Sequence, residues 1–217
     1  MYDPKTIYIP PGYGKISFSK IELRHILVAV AALTFAFTMF FYLNPRVSGL
    51  NEMNGLLFAF GISFTAVLTG FMLHEFAHKV MAQRAGAWAE FRAYPFGLML
   101  AVLVSLMGFI FAAPGAVYIQ GMINRKQNGI ISIAGPLTNL GLGVAFLSAG
   151  VLLQSGYLAI ALYLVGSINL MLAAFNLLPI PPFDGSKVLK WNVPIYIAAA
   201  GICGTLAILA NFTNFFF

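Results

Sequence analysis

Long apolar segments occupy most of this chain, and their lengths predict helices that cross a membrane. A helix rises 1.5 Å per residue, so about 20 apolar residues span the roughly 30 Å hydrocarbon layer. The pattern predicts an all-α polytopic membrane protein with five to six transmembrane helices, arranged as one domain over residues 1–217. The five clearest segments lie at about residues 25–43, 55–85, 129–153, 157–178 and 193–211.

A sixth apolar stretch, at about residues 96–113, is long enough to span a membrane, but the distribution of Lys and Arg residues along the chain argues against a crossing. If this stretch does not cross, eleven of the twelve Lys and Arg residues fall on one side of the membrane, with Arg46 alone on the other. If the stretch crosses once, seven of these basic residues fall on one side of the membrane and five on the other. Basic residues concentrate on the cytoplasmic side of membrane proteins, which favours the first arrangement. An ordinary sixth helix is the alternative, because length alone would accept it.

The favoured arrangement predicts a membrane-embedded β or re-entrant link after the second span. We expect strands or a hairpin at residues 91–97 and 109–118 with a helical turn between them, because Ala113-Pro114-Gly115 would break a continuous helix. Non-helical backbone at that depth must be buried in protein or line a watery cavity. Five crossings then place the amino terminus on the cytoplasmic side of the membrane. We expect this membrane to be the cell membrane.

Composition agrees with a membrane protein and excludes other classes. The 217 residues are 60% hydrophobic and 8% charged, whereas soluble domains carry about 25% charged residues. The net charge of +6 comes from basic residues at the ends of apolar runs, so we expect a lipid bilayer and no nucleic acid as partner. The single Cys203 excludes an internal disulfide, and the sequence gives no indication of the oligomeric state.

One polar group interrupts the second apolar segment. The run His74-Glu75-Phe76-Ala77-His78 has the H-E-x-x-H pattern and holds two of the three histidines. Residues four apart share a helix face, so His74 and His78 can present two ring nitrogens to one metal ion, with Glu75 beside them as a base. Ionisable side chains in a membrane helix are costly and are functional by default. The motif predicts a catalytic site with one Zn²⁺ per chain.

Such a zinc site needs a third protein ligand and an open position for water. His25 is one candidate, but it stands beside Arg24 at the start of the first segment, where a polar residue is ordinary. Asp184 is the better candidate, because the three prolines within residues 179–182 force the chain out of helix just before it. Asp184 could equally form a turn with Gly185 and cap the next helix, and the residues alone leave both possibilities open.

Three asparagines in the later spans have either a packing role or a role in substrate binding. Asn139 ends the run Gly-Pro-Leu-Thr-Asn and could donate a hydrogen bond to a substrate or to a developing oxyanion, or join two helices. Asn169 and Asn176 are seven residues apart and share a helix face. Packing is favoured for Asn169, whereas both roles stay open for Asn139 and Asn176.

With these motifs the chain resembles the site-2 protease family of intramembrane zinc metalloproteases. Three stretches carry the resemblance: H-E-x-x-H at 74–78, G-P-L-T-N at 135–139, and N-L-L-P at 176–179 followed by Asp184-Gly185. The likeness is to compact members without PDZ or CBS domains, and Ser186 stands where a second glycine is common. The resemblance implies that His74, His78 and Asp184 hold zinc and that Glu75 is the catalytic base.

The resemblance also implies a function, namely hydrolysis of peptide bonds within the transmembrane segments of other proteins, as in regulated intramembrane proteolysis. Its partners would be transmembrane substrates, its active site would lie near the cytoplasmic side, and the link after the catalytic helix would present a strand edge to an unwound substrate. The alternative is a membrane protein that binds or transports metal, or an inactive relative that binds transmembrane helices.

Overall fold

The computed structural model describes residues 15–43, 52–110 and 113–213. A π-helical segment, Val67–Met72, joins the second and third helices into one continuous helix. The elements in chain order are α1 (Lys20–Tyr42), α2 (Glu52–Ala66), the π segment, α3 (Leu73–Arg84), β1 (Trp88–Ala93), α4 (Pro95–Ser105), β2 (Gly115–Gln120), α5 (Arg125–Leu153), α6 (Tyr157–Asn176), α7 (Asp184–Trp191) and α8 (Val193–Thr213).

Within the described ranges, five helices are long and apolar enough to cross a membrane, which confirms the all-α polytopic fold class. They span Lys20–Tyr42, Met53–Arg84, Arg125–Leu153, Tyr157–Asn176 and Val193–Asn211. The expected break of the first segment at Asn44-Pro45 lies outside the described residues.

Two of these helices begin four to five residues before the predicted segments because their first turns are polar and capped. Ser19 caps α1, where its hydroxyl oxygen accepts a hydrogen bond from the Glu22 N–H at 3.1 Å. Asn124 and Gln127 form a reciprocal capping box at the start of α5, with hydrogen bonds of 2.9 and 3.0 Å. Capping satisfies backbone N–H groups that the helix itself leaves free, so a polar first turn can extend an apolar span.

The link between α3 and α5 is a strand, a helix and a second strand. Strands β1 and β2 pair antiparallel, from Trp88 opposite Gln120 to Ala93 opposite Gly115. Helix α4 has 11 residues and is therefore about 16 Å long, too short to cross the hydrocarbon layer. Because the two ends of the link pair with each other, the chain leaves α3 and enters α5 on the same side of the bundle.

The predicted positions of the two strands were wrong by several residues. The strands lie at 88–93 and 115–120 rather than 91–97 and 109–118, and the predicted helical turn between them is the three-turn helix α4. Pro95 takes the first helical position of α4, where its missing N–H costs nothing, and so ends β1 early. Gly115 has a φ of 141°, a conformation that favours glycine, and β2 begins at this residue instead of at residue 109.

Helix α5 positions the candidate site because it contacts α3, α6 and α7. After α6, the Pro-rich residues 177–183 form turns instead of helix, and the chain turns back into the short helix α7. Helix α7 also packs against α8, with Val188 and Cys203 in one buried cluster. This arrangement brings the first residue of α7, Asp184, to the level of the histidines on α3.

Candidate metal centre

Three candidate ligand atoms converge between α3 and α7. The Nε2 atoms of His74 and His78 are 3.0 Å apart, and Asp184 Oδ2 lies 3.4 and 3.0 Å from them, respectively. Two ligand atoms held by zinc at about 2.0 to 2.1 Å with tetrahedral angles are about 3.3 Å apart. The three atoms therefore have the spacing of three corners of a zinc tetrahedron, and the donor set of two imidazoles and one carboxylate suits that ion.

A backbone contact fixes the orientation of one imidazole. His78 Nδ1 lies 2.7 Å from the carbonyl oxygen of Ile131 on α5. A carbonyl can only accept, so Nδ1 carries the proton and the lone pair of Nε2 points toward His74 and Asp184. This is the tautomer that a metal ligand needs, and α5 imposes it before any ion binds.

Asp184 begins α7 without capping it, since Phe183 is the N-cap residue and makes no capping hydrogen bond through its side chain. The carboxylate is buried and faces the histidines through Oδ2, while Oδ1 lies 3.3 Å from Lys187 Nζ. The positive charge of Lys187 beside Oδ1 favours the ionised form of the carboxylate. The side chain is therefore an anion directed at the two imidazoles.

His25, the other candidate for a third ligand, has a different partner. Its Nδ1 accepts a hydrogen bond from the backbone N–H of Ala93 at the end of β1, at 3.1 Å. In the part of the chain that the structure describes, the group of side chains able to share one metal ion consists of His74, His78 and Asp184. The geometry thus favours Asp184 over His25.

Gly135 on α5 leaves space for the two imidazoles. A Cβ atom at this position would lie 2.6 Å from His74 Nε2 and still closer to His78 Nε2. Distances this short do not occur for real Cβ atoms, so any other residue would push the ligand atoms aside. The close neighbours of Gly135 are therefore the candidate ligands themselves.

We expect Gly135→Ala to weaken zinc binding by roughly 10- to 100-fold, as displacement of groups that support a metal site typically does. The measurement is zinc affinity by chelator competition, together with metal content per chain. Gly141→Ala is the matched control on the same helix, because no atom lies within 4 Å of its added Cβ. Equal zinc affinity in the two variants would contradict the close approach of α5 to the histidines.

Glu75 and strand β2 line the same cavity as the three candidate ligands. The cavity has a volume of about 330 Å³, and the residues from Ala113 to Val117 are part of its lining. Glu75 Oε2 accepts a hydrogen bond from the backbone N–H of Val117 at 3.1 Å. A carboxylate one residue from a candidate ligand is thereby held in the same cavity as the three ligand atoms.

The asparagines separate into two groups in the structure. Asn176 lines the cavity and donates to the carbonyl of Leu172 at 3.0 Å, so a substrate role is compatible with its position. Asn139 is fully buried, is not among the cavity-lining residues, and donates to the carbonyl of Gly70 at 3.1 Å. Its geometry favours the packing alternative, in support of the π segment that leads into α3. Asn169 packs against the same segment through Thr69, at 3.0 Å.

Sequence reasoning missed the backbone partners of the site and one buried ion pair. The carbonyl of Ile131 and the N–H of Val117 could not be found, because any residue carries these groups. The pair between Glu22 and Lys79 did have a signal, since each is an ionisable residue within or next to an apolar segment.

The chain is similar in sequence to proteins that are named as zinc metalloproteases. A protein of Methanocaldococcus jannaschii named as a candidate zinc metalloprotease is 42% identical over 191 residues, covering 85% of this chain and 91% of that protein. "Zinc metalloprotease MJ0392" of the same organism is 27% identical over 147 residues, or 66% of this chain and 38% of that protein. The family model described as Peptidase family M50 matches residues 152–199. No solved structure gives a significant match.

Five apolar helices, a His-His-Asp group and these relatives define an integral membrane zinc metalloprotease. Zinc is its cofactor. At this level of identity and coverage the chain belongs to peptidase family M50, the site-2 protease family. The resemblance based on the three sequence motifs is confirmed.

Proposed function

We propose that this protein is an intramembrane endopeptidase that hydrolyses peptide bonds in the transmembrane segments of other proteins. One observation carries the proposal: a single cavity contains three convergent ligand atoms, a carboxylate next to them and a strand edge. The cavity lies within a bundle of helices long enough to span a membrane. A site of this kind can hold an extended peptide.

In this proposal His74, His78 and Asp184 hold the zinc ion and Glu75 moves the proton. Bound there, zinc supplies Lewis-acid activation of water and of the scissile carbonyl. Glu75 accepts a proton from the attacking water and returns it to the leaving amine. The hydrogen bond from Val117 keeps the Glu75 carboxylate turned toward the cavity, and the nearby amide of Asn176 is available to the substrate backbone.

Strand β2 provides the edge to which a substrate strand can add. The opposite edge of the hairpin is occupied, because the backbone N–H groups of Phe91 and Ala93 donate to Glu22 and His25. The outer edge of β2 lies at the cavity, where the Val117 N–H donates to Glu75 and the neighbouring edge positions are Gly115 and Ile119. An unwound substrate segment that pairs with this edge at Gly115 and Ile119, on either side of the Val117 N–H, would place its peptide bonds beside Glu75.

We further infer the orientation of the protein in the cell membrane. The paired ends of the link support five crossings, with the amino terminus in the cytoplasm and the site near the cytoplasmic side. All ten described Lys and Arg residues then fall on that side, as the positive-inside rule requires. Residues 1–217 act as one catalytic domain in this proposal.

The proposal is tested with purified zinc-loaded protein and a synthetic transmembrane peptide in lipid vesicles. The peptide carries an Asn-Pro pair at the centre of its apolar segment, because proline opens a helix locally. We expect cleavage within the apolar segment, lost on chelation and restored by zinc, with slower cleavage of a peptide that lacks the Asn-Pro pair. Zinc uptake into vesicles without hydrolysis would support the alternative of a metal transporter instead.

A further inference from the structure

A buried ion pair outside the metal centre joins α1 to the catalytic helix α3. Glu22 is 0% exposed and Lys79 is 2% exposed, and Lys79 Nζ donates to Glu22 Oε2. Removing two charges from water is costly, and such pairs persist only where further hydrogen bonds satisfy the remaining atoms. Neither residue takes part in the candidate metal centre, so the pair needs another explanation.

Lys79 lies on α3 directly after His78 and one helical turn after Glu75. Its Nζ is 3.8 Å from the centre of the Phe18 ring, which in turn stacks on Phe76 at 5.8 Å. A desolvated ammonium over an aromatic face is attracted by the ring quadrupole. Lys79 is thus held from two sides, by Glu22 in the first turn of α1 and by Phe18 just before that helix.

The second oxygen of Glu22 reaches strand β1. Glu22 Oε1 accepts a hydrogen bond from the Phe91 N–H at 3.0 Å. Phe91 pairs with Val117 across the hairpin, and the Val117 N–H donates to Glu75 Oε2 at 3.1 Å. The Phe91–Val117 pair of the hairpin, here called the Phe91 rung, is therefore hydrogen-bonded to a carboxylate at each edge, Glu22 at β1 and Glu75 at β2.

These contacts form a closed cycle that begins and ends on α3. The cycle runs from Lys79 through Glu22 to Phe91, then across the hairpin to Val117 and back to α3 through Glu75, which is four residues from Lys79. Residues four apart lie one above the other on a helix face, so the cycle of contacts is short and leaves the hairpin little freedom to slide along α3.

We propose that Glu22 is a positioning residue that holds Lys79 and the Phe91 rung together and thereby fixes which substrate bond faces Glu75. This inference rests on the proposed function, in which the substrate pairs with the outer edge of β2. Residues along a strand are about 3.3 Å apart, so a hairpin that slides by that distance presents a neighbouring peptide bond to the site. Glu22 thus determines the position of the cut.

The test compares two double variants that both remove the buried charges. Replacing a buried ion pair by apolar residues of similar volume generally keeps the fold. In Glu22→Gln with Lys79→Met, the glutamine oxygen can still accept the Phe91 N–H. In Glu22→Leu with Lys79→Met, that acceptor is gone. The two proteins differ at one side chain, which offers an acceptor to the Phe91 N–H in the first and none in the second.

Each protein is loaded with zinc, and its products from the Asn-Pro transmembrane peptide are mapped by mass spectrometry. The Gln/Met variant is expected to cut at the wild-type bond. The Leu/Met variant is expected to retain one zinc per chain but to lose roughly tenfold in its preference for that bond over its neighbours, which corresponds to one lost hydrogen bond. A protein that was merely less stable would cut the same bond more slowly.

A Leu/Met variant that binds zinc and cuts only the wild-type bond would overturn the proposal. Glu22→Asp gives the answer if Leu/Met does not fold, because it keeps a charge opposite Lys79 but is one methylene too short to reach both partners. Its cuts are expected to spread over neighbouring bonds, and an unchanged pattern from the zinc-loaded variant would also overturn the proposal.

Amide hydrogen exchange without substrate separates this inference from the proposed function. The Phe91 amide is expected to exchange slowly in the wild-type and Gln/Met proteins and faster in the Leu/Met protein. Slow exchange in all three would show that Glu22 does not hold β1. A wild-type protein that shows the expected exchange but cuts no transmembrane peptide would contradict the proposed function alone.

Discussion

Replacement of Glu75 by Gln is expected to abolish peptide hydrolysis while the protein still binds one zinc per chain. Glutamine keeps the shape of the side chain and an oxygen for the Val117 N–H, but it cannot accept a proton from the attacking water. Loss of a general base typically costs about 10² to 10⁴ in rate. The measurement is the single-turnover rate on the Asn-Pro transmembrane peptide, with zinc content determined on the same preparation.

The control for this variant is Glu90→Gln, the same chemical change on β1. The Glu90 carboxylate pairs with Arg92 at 2.6 Å and is not among the residues that line the cavity, so hydrolysis is expected to continue near the wild-type rate. A Glu75→Gln protein that holds zinc and cuts at the wild-type rate would remove Glu75 from the mechanism. Zinc uptake by vesicles that is unaffected by Glu75→Gln would favour the transport alternative.

Replacement of Asp184 by Asn is expected to remove zinc from the protein. The carboxylate is the only anionic member of the candidate ligand group in the described residues, and an amide oxygen is a weaker and neutral donor. We expect zinc affinity to fall by more than the roughly 10- to 100-fold that is typical for the loss of a supporting outer-shell partner. Chelator competition measures the affinity, and hydrolysis should disappear together with the metal.

His25→Asn is the matched comparison because His25 was the other candidate ligand in the sequence. Asparagine retains an oxygen that can accept the Ala93 N–H, so the β1 contact can persist. The His25 variant is expected to keep zinc at the wild-type affinity. The reverse result, with zinc lost from the His25 variant and kept by the Asp184 variant, would assign the third ligand to His25.

Some features of this protein follow from short-range patterns in the sequence. The length of each apolar segment predicts a spanning helix, because a bilayer of fixed thickness needs a fixed number of residues. The helical repeat brings His74 and His78 to one face whatever the rest of the chain does. Charge distribution favours a link that does not cross, and the short α4 and the paired strands agree with it.

Tertiary structure alone decided the features that depend on residues far apart in the sequence. Asp184 lies more than a hundred residues from His78, and the residues alone could not choose between a turn and a ligand. Gly135 lies against the imidazoles only because α5 packs on α3, and Glu22 meets Lys79 only because α1 packs on the same helix. Local periodicity determines the elements and the faces they present, whereas helix packing brings their residues together, and a single sequence contains no direct measure of that packing.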